Sequence, residues 1–279
     1  MFFSIYLTAE ILYNSFMLID FHTHFFPDSI SKATVQKMGA HAGVAYSGNG
    51  DLKSLLDFMK KDGVDYSVNL PVATTVAQVQ SINRKMIDIN KKYPSGPVIC
   101  FGTMHPGYSN PGEELQFLSE NGVKGIKMHP EYQEFFPDDE KMLLVYEACR
   151  DYGLIISFHS GVDIAYESVH GAAKRFTELT KIKGLKFALA HAGGFRQWED
   201  VEKYLLGKDV YIDLSYCMEM RDEQLKNILE SHRDDRVLFG TDFPWERASA
   251  MKGKVEQLGL EEELKEKLYY KNAKELLKI

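Results

Sequence analysis

Three observations predict an α/β chain folded as a single-domain (β/α)₈ TIM barrel. Eight apolar, β-branched runs of strand length recur along the sequence. Amphipathic segments of helix length separate them, and each run is followed by Gly, Pro or polar residues, as buried parallel strands tend to be. The whole alternation fits in about 260 residues, the usual span of such a barrel. A doubly wound sheet would carry Gly-x-Gly-x-x-Gly after its first strand, and none follows here.

The elements fall in order. The first four strand candidates are "LIDFH" (18–22), "VDYSVNLPV" (64–72), "PVICFGTM" (97–104) and "VKGIKMH" (123–129). The second four are "LIISFHS" (154–160), "LKFALAH" (185–191), "DVYIDLS" (209–215) and "RVLFGTD" (236–242). Between the first two, "DLKSLLDFMKKDG" places Leu52, Leu55, Leu56 and Met59 on one helical face, with Asp51 as cap and Gly63 as stop. Further helices are expected near 76–93, 112–121, 138–152, 170–182, 197–207, 222–232 and 261–277. No short-period repeat, low-complexity tract or linker interrupts this rhythm, so residues 17–279 read as one domain.

Residues 1–16, "MFFSIYLTAEILYNSF", read as a short N-terminal extension. Glu10 and Asn14 break its apolar character, no basic residue precedes it and no small-residue cleavage site follows. It fits neither a secretory signal nor a membrane span of about 20 apolar residues. It is expected to pack on the domain, and Met17 is a candidate alternative start.

Composition narrows the function. A net charge of −7 with no local basic cluster speaks against nucleic acid as a partner. Three widely spaced cysteines without a Cys-x-x-Cys pattern read as reduced core thiols of a cytoplasmic protein. A small-molecule substrate is left as the expected partner.

The ends of the strands carry the chemistry, because active sites of such barrels sit at the C-terminal face. His22 and His24 end the first strand, and positions i and i+2 share one face. His105 follows the third, Lys127 and His129 end the fourth, His159 the fifth, His191 the sixth and Asp242 the eighth. Six of the nine histidines thus sit at or just past strand ends; His41 and His170 fall in connections and His232 at a helix end. One carboxylate joined to several neutral imidazoles suits zinc, manganese or iron(II). Alone, His159 or His191 would be an ordinary barrel histidine; together with His22, His24 and Asp242 they read as a metal site. His105 reads as a turn residue. Asp20 and Asp213 fit either of two roles, orienting imidazoles or capping turns. Trp245, Arg247 and Arg196 are candidates to line the pocket or simply to start helices.

The motifs "DFHTH", "FHSG", "AHAGG" and "GTDFPW", in that order, resemble the amidohydrolase superfamily. More narrowly the chain resembles its amidohydrolase-2 branch, which includes the aminocarboxymuconate-semialdehyde decarboxylase-like proteins, from about Leu18 to the C-terminal helix. The resemblance implies His22, His24, His159 and Asp242 as metal ligands, with His191 beside the metal. It implies one divalent ion, Zn²⁺ by first choice with Mn²⁺ or Fe²⁺ as alternatives. Superfamily members with two metals bridge them with a carboxylated Lys or a Glu on the fourth strand. Lys127 would then be that bridge, with His159 and His191 on the second ion; in the single-metal arrangement Lys127 and His129 anchor a substrate carboxylate. Related metal-dependent deoxyribonucleases have a Glu near this position, which this chain lacks. Homodimerisation is a further implication of the resemblance.

A metal bound this way lowers the pKa of water from about 15.7 toward 7. Asp242 as base and His191 as oxyanion partner would then hydrolyse an amide, ester or lactone in a small molecule. The alternative keeps the site and removes CO₂ from an unsaturated or aromatic acid. The chain reads as short for such decarboxylases, with few long loops, which favours hydrolysis. A metal-storage barrel is a third reading, set aside because every ligand is present. Specificity is expected in the loops "FFPDSI", "PVATTVAQ" and "PEYQEFFPDD", where Phe25, Tyr132, Phe135 and Phe136 suggest either an apolar pocket or plain packing.

Overall fold

The computed structural model describes residues 17–279; the extension read at 1–16 lies outside them. The strands are β1 (Ile19–Thr23), β2 (Tyr66–Asn69), β3 (Val98–Cys100), β4 (Gly102–Thr103), β5 (Gly125–Met128), β6 (Ile155–Phe158), β7 (Lys186–Leu189), β8 (Tyr211–Asp213) and β9 (Val237–Leu238). They pair in parallel in chain order, in two runs, β1 to β3 and β4 to β9. The two runs meet at Phe101, which separates β3 from β4 and whose N–H donates to Asn69 O at 3.0 Å. These two short strands are halves of one barrel strand, so nine segments make eight staves. The circle closes where Phe21 N donates to Phe239 O and Asp242 N donates to His22 O, both at 2.8 Å. The chain is a (β/α)₈ barrel, as the alternation predicts.

Helices cover the outside. The Asp51 carboxylate accepts from Ser54 N at 2.6 Å and opens α2 (Leu52–Asp62), which Gly63 closes in the left-handed conformation, φ 73°. α3 (Gln78–Lys92), α4 (Pro111–Glu120), α5 (Leu143–Asp151), α6 (Trp198–Tyr204) and α7 (Asp222–Ser231) lie where the periodicity places them. Two helices escaped the sequence pattern, α1 (Ser31–Ala42) and α8 (Ala248–Gln257). Their buried positions, Ser31, Val35 and Gly39 in α1 and Ala248, Met251 and Val255 in α8, form a thin stripe of mostly small residues. Such a stripe gives little amphipathic signal.

Two expected helices form differently. The span 170–182 holds two 3₁₀ turns, Ala173–Thr177 and Leu179–Lys181. Thr177 Oγ1 donates to Lys174 O at 2.7 Å and Thr180 Oγ1 to Thr177 O at 2.8 Å, so side chains compete for the carbonyls an α-helix would use. The span 261–277 splits into α9 (Glu262–Glu266), a π turn at Lys267–Lys271 and α10 (Asn272–Leu277). Within that turn the Leu268 carbonyl accepts from Phe239 N at 2.9 Å, just past β9.

Apolar packing fixes the staves. On one side Ile126, Met128, Ile156 and Phe158 pack with Leu115, Leu118 and Val145; on the other Leu214, Val237 and Phe239 pack with Leu225, Ile228 and Met251. Each fully buried side chain of this size contributes about 1.5–3 kcal/mol. The rigid result leaves the C-terminal strand ends as the place for a precise site. Among the described residues no helix is long and apolar enough to cross a membrane.

Candidate metal centre

β1 delivers His22 and, one residue past its end, His24. The His22 ring is held by its Nδ1–H, which donates to Asp213 Oδ2 at the end of β8, 3.0 Å away. The His24 ring is held by Nδ1–H donating to Leu70 O just past β2 at 2.9 Å. Asp242 completes the group from the loop after β9, in a left-handed backbone conformation, φ 68°. The two carboxylates left open by the sequence divide the roles. Asp213 orients an imidazole; Asp20 staples the first stave to the last, accepting from Thr241 N at 3.0 Å and Thr241 Oγ1 at 2.6 Å. Gly240 makes the approach feasible, since a Cβ there would lie 3.1 Å from His22 Cβ and 3.2 Å from Asp213 Oδ1.

The free atoms converge. His22 Nε2 lies 3.2 Å from His24 Nε2, and Asp242 Oδ1 lies 3.0 Å from His24 Nε2 and 3.5 Å from His22 Nε2. Each ring has spent its N–H on an oxygen that can only accept, so both Nε2 atoms present lone pairs to one another and to a carboxylate. Burial pushes the His22 imidazole down to about 4, which keeps it neutral. Burial alone would raise Asp242, but the neighbouring His24, His22 and His191 rings outweigh it and hold the carboxyl well below its ordinary value. Lone pairs facing each other at this distance repel unless a cation sits among them. Two neutral imidazoles and a carboxylate are a donor set for zinc, manganese or iron(II), and these residues fit a divalent metal.

A second layer adjoins the first. His191, past β7 with φ 60°, donates Nδ1–H to Ser215 O at 2.9 Å and accepts at Nε2 from His159 Nδ1 at 3.0 Å. His159 Nε2 is buried without a partner among the described residues. The His159 ring stacks on His129 with centroids 4.1 Å apart, and His129 stacks on Tyr132 at 3.7 Å. His129 Nε2 faces Asp163 Oδ2 at 3.4 Å. The donor atoms of His129, His159 and Asp163 also lie within 4.8 Å of one another. An ion sits in the plane of the imidazole that binds it, however, and rings stacked face to face share no such plane. That group is therefore a packed wall in this arrangement. Of the four ligands read from the sequence, the structure brings three into one group and sets His159 in the adjoining layer.

Lys127 stands between the layers on β5, 1% exposed. Its Nζ has one hydrogen-bond partner among the described residues, His22 Nε2 at 3.3 Å. Burial pulls the ammonium down to about 8, against the attraction of Asp213 and Asp242.

The remaining candidates separate cleanly. Trp245 follows Asp242 and meets Tyr46 edge to face. Arg196 forms a two-pronged ion pair with Glu219 at 2.7 and 2.8 Å. Arg247 pairs with Asp62 on α2 and so ties a loop to a helix instead of lining a pocket. His105 accepts from Gly107 N, as a turn residue does. Phe25 and Phe135 are buried in the packing, and Phe136 lies under Arg175. Sequence reasoning missed Asp163, Tyr216 and Glu246, each within a few residues of a named strand end. It also missed the backbone strain, with positive φ at His191, Ala192, Arg196, Tyr216 and Asp242. Strain of this kind gathers at functional sites.

The family model described as amidohydrolase matches residues 19–279. No curated protein matches the sequence. Among solved structures, a TIM-barrel protein from Bordetella bronchiseptica superposes with TM-score 0.75 at 16% identity, covering 94% of this chain and 98% of that one. The manganese-bound 5-carboxyvanillate decarboxylase from Novosphingobium aromaticivorans gives 0.70 at 15%, covering 95% and 98%. The 2,6-dihydroxybenzoate decarboxylase from Rhizobium gives 0.67 at 14%, covering 94% and 98%. At these identities the likeness establishes the barrel. It also removes a sequence argument: this chain spans nearly the full length of both decarboxylases, so its length does not favour hydrolysis.

Proposed function

The chain belongs to the amidohydrolase family, and from that membership we propose that it is a metal-dependent, non-oxidative decarboxylase of a small unsaturated or aromatic carboxylic acid. The observation that carries the reading is Lys127, a buried ammonium beside the metal group whose one hydrogen-bond partner is an imidazole. A buried ammonium without a hydrogen-bonded carboxylate is costly, and a substrate carboxylate would relieve that cost. Asp213 and Asp242 are ionised and the imidazoles neutral, so a divalent ion together with Lys127 leaves one positive charge over, which an acid anion matches. The two decarboxylases among the structural neighbours support the same reading.

His22, His24 and Asp242 hold the metal in this reading, and His159, whose Nε2 has no partner among the described residues, is the proposed fourth ligand from the adjoining layer. The bound ion supplies Lewis acidity that stabilises negative charge on the substrate. Lys127 fixes the carboxylate. The carbon–carbon bond then breaks, CO₂ leaves, and the electron pair left on carbon takes a proton. Asp242, ionised and 14% exposed on its side chain where the group opens to solvent, is placed to relay that proton from solvent. His191, tied to Ser215 O, keeps His159 in position. The natural metal is proposed as zinc or manganese, manganese having the support of a neighbour. Three free, buried cysteines support a cytoplasmic setting.

Hydrolysis remains the second reading, favoured by the open carboxylate of Asp242 as a base for water. Product analysis separates the two. Metal-loaded protein is incubated with a panel of aromatic and unsaturated carboxylic acids and with their esters and amides. CO₂ release, abolished in Lys127→Met, supports decarboxylation; a net gain of water without CO₂ overturns it.

A further inference from the structure

A cavity of about 230 Å³ opens beside the metal group, lined by Ala45, Tyr216, Met218, Glu219, Trp245 and Glu246. Two of its walls are tied to the centre by the backbone. Tyr216 N donates to Thr241 O at 3.3 Å, and Trp245 N donates to Asp242 O at 2.9 Å. Tyr216 holds a positive φ of 52°, a conformation a bulky residue adopts only where the surroundings impose it. The cavity is thus built from the same strand-end turns that present Asp242, and its aromatic walls suit a flat ring.

Its two carboxyls differ. Glu219 is neutralised by the two-pronged pair with Arg196. Glu246 lines the cavity, and its Oε2 is buried without a hydrogen-bond partner among the described residues. Partnerless buried polar atoms cost free energy and are rare in native proteins. We propose that this cavity takes the end of the substrate remote from the metal, and that Glu246 selects a hydroxyl substituent there by hydrogen bonding. Burial and the neighbouring Asp242 charge push the Glu246 carboxyl up to about 8. A neutral carboxyl both donates and accepts, which matches a hydroxyl and offers nothing to an unsubstituted ring. This deepens the decarboxylase reading and rests on it.

The test is binding to the manganese-loaded protein, by calorimetry, of benzoate, 3-hydroxybenzoate and 4-hydroxybenzoate. One hydroxybenzoate is expected to bind roughly three- to tenfold tighter than benzoate, the worth of one hydrogen bond. Glu246→Gln, neutral and able to donate and accept, keeps that preference; Glu246→Ala loses it. Tryptophan emission changes on binding, and the change disappears in Trp245→Phe. A preference that survives in Glu246→Ala, or hydroxybenzoates no tighter than benzoate in wild type, overturns the inference and leaves the decarboxylase reading standing. If none of the three acids binds, the inference is overturned, while the decarboxylase reading stands or falls on the CO₂ measurement.

Discussion

Asp213 Oδ2 accepts the Nδ1–H of His22 at 3.0 Å, joining the end of β8 to the end of β1 past β9, the strand between them. Both groups are almost fully buried. Burial pushes Asp213 up, but His22 and the Ser215 side chain outweigh it and hold the carboxyl down at about 2. An ionised carboxylate behind the ring fixes the tautomer and makes Nε2 a better donor. Asp213→Asn is expected to weaken metal binding by about 10- to 100-fold, measured by competition with a chelator of known affinity. Unchanged affinity would mean that His22 does not bind metal through Nε2.

Gly240 lets the last stave pass the first at close range. Adding one methyl in Gly240→Ala places it against His22 Cβ and Asp213 Oδ1. Overpacking of this kind costs about 1–3 kcal/mol. The expected result is a lower urea midpoint together with weakened metal binding, because the clash falls on the ligand and its orienting acid alike. A destabilised variant with intact metal affinity would show that the strand shifts as a whole.

In the proposed reading Lys127 is held in the interior for substrate, not for the fold. Replacing it with Met removes a buried charge and keeps the volume, which is expected to stabilise the metal-free protein by about 1 kcal/mol or more. The same variant is expected to lose carboxylate binding. Chemical denaturation of wild type and Lys127→Met at pH 7 measures the first effect, and a less stable variant would assign Lys127 a structural role.

The sequence made the barrel legible because strand length and helix period are local signals. It made the candidate metal group legible because His22, His24 and Asp242 sit at strand ends, and a closed barrel brings those ends together. Packing that depends on thin stripes was hidden, as α1 and α8 show. So was the stack of Tyr132, His129 and His159, since nothing in a linear pattern says that two strand-end rings lie face to face. Glu246 was equally hidden, because an acid in a loop reads as solvated until the fold buries it.

His232 offers a pH test away from the metal group. It accepts at Nδ1 from Gly207 N and donates Nε2–H to Val210 O at 2.9 Å, and burial lowers its pKa. The unfolded chain takes up a proton near pH 6.5 while the folded ring does not, so stability falls as pH drops below about 6.5. The buried histidines of the site act with the same sign. In His232→Gln the slope of unfolding free energy against pH is expected to be shallower by at most about 1.4 kcal/mol per pH unit, read from urea curves between pH 5.5 and 7. Equal slopes would mean that the folded ring is protonated too.

Metal content decides most directly whether the strand-end group is what its geometry indicates. Elemental analysis of protein purified without added metal or chelator is compared between wild type and a His22→Ala, His24→Ala double variant that remains folded by circular dichroism. About one equivalent of divalent metal in wild type, lost in the variant, is the expected result. Metal absent from wild type, or retained at the same level in the variant, would contradict the assignment of His22, His24 and Asp242 as a metal centre.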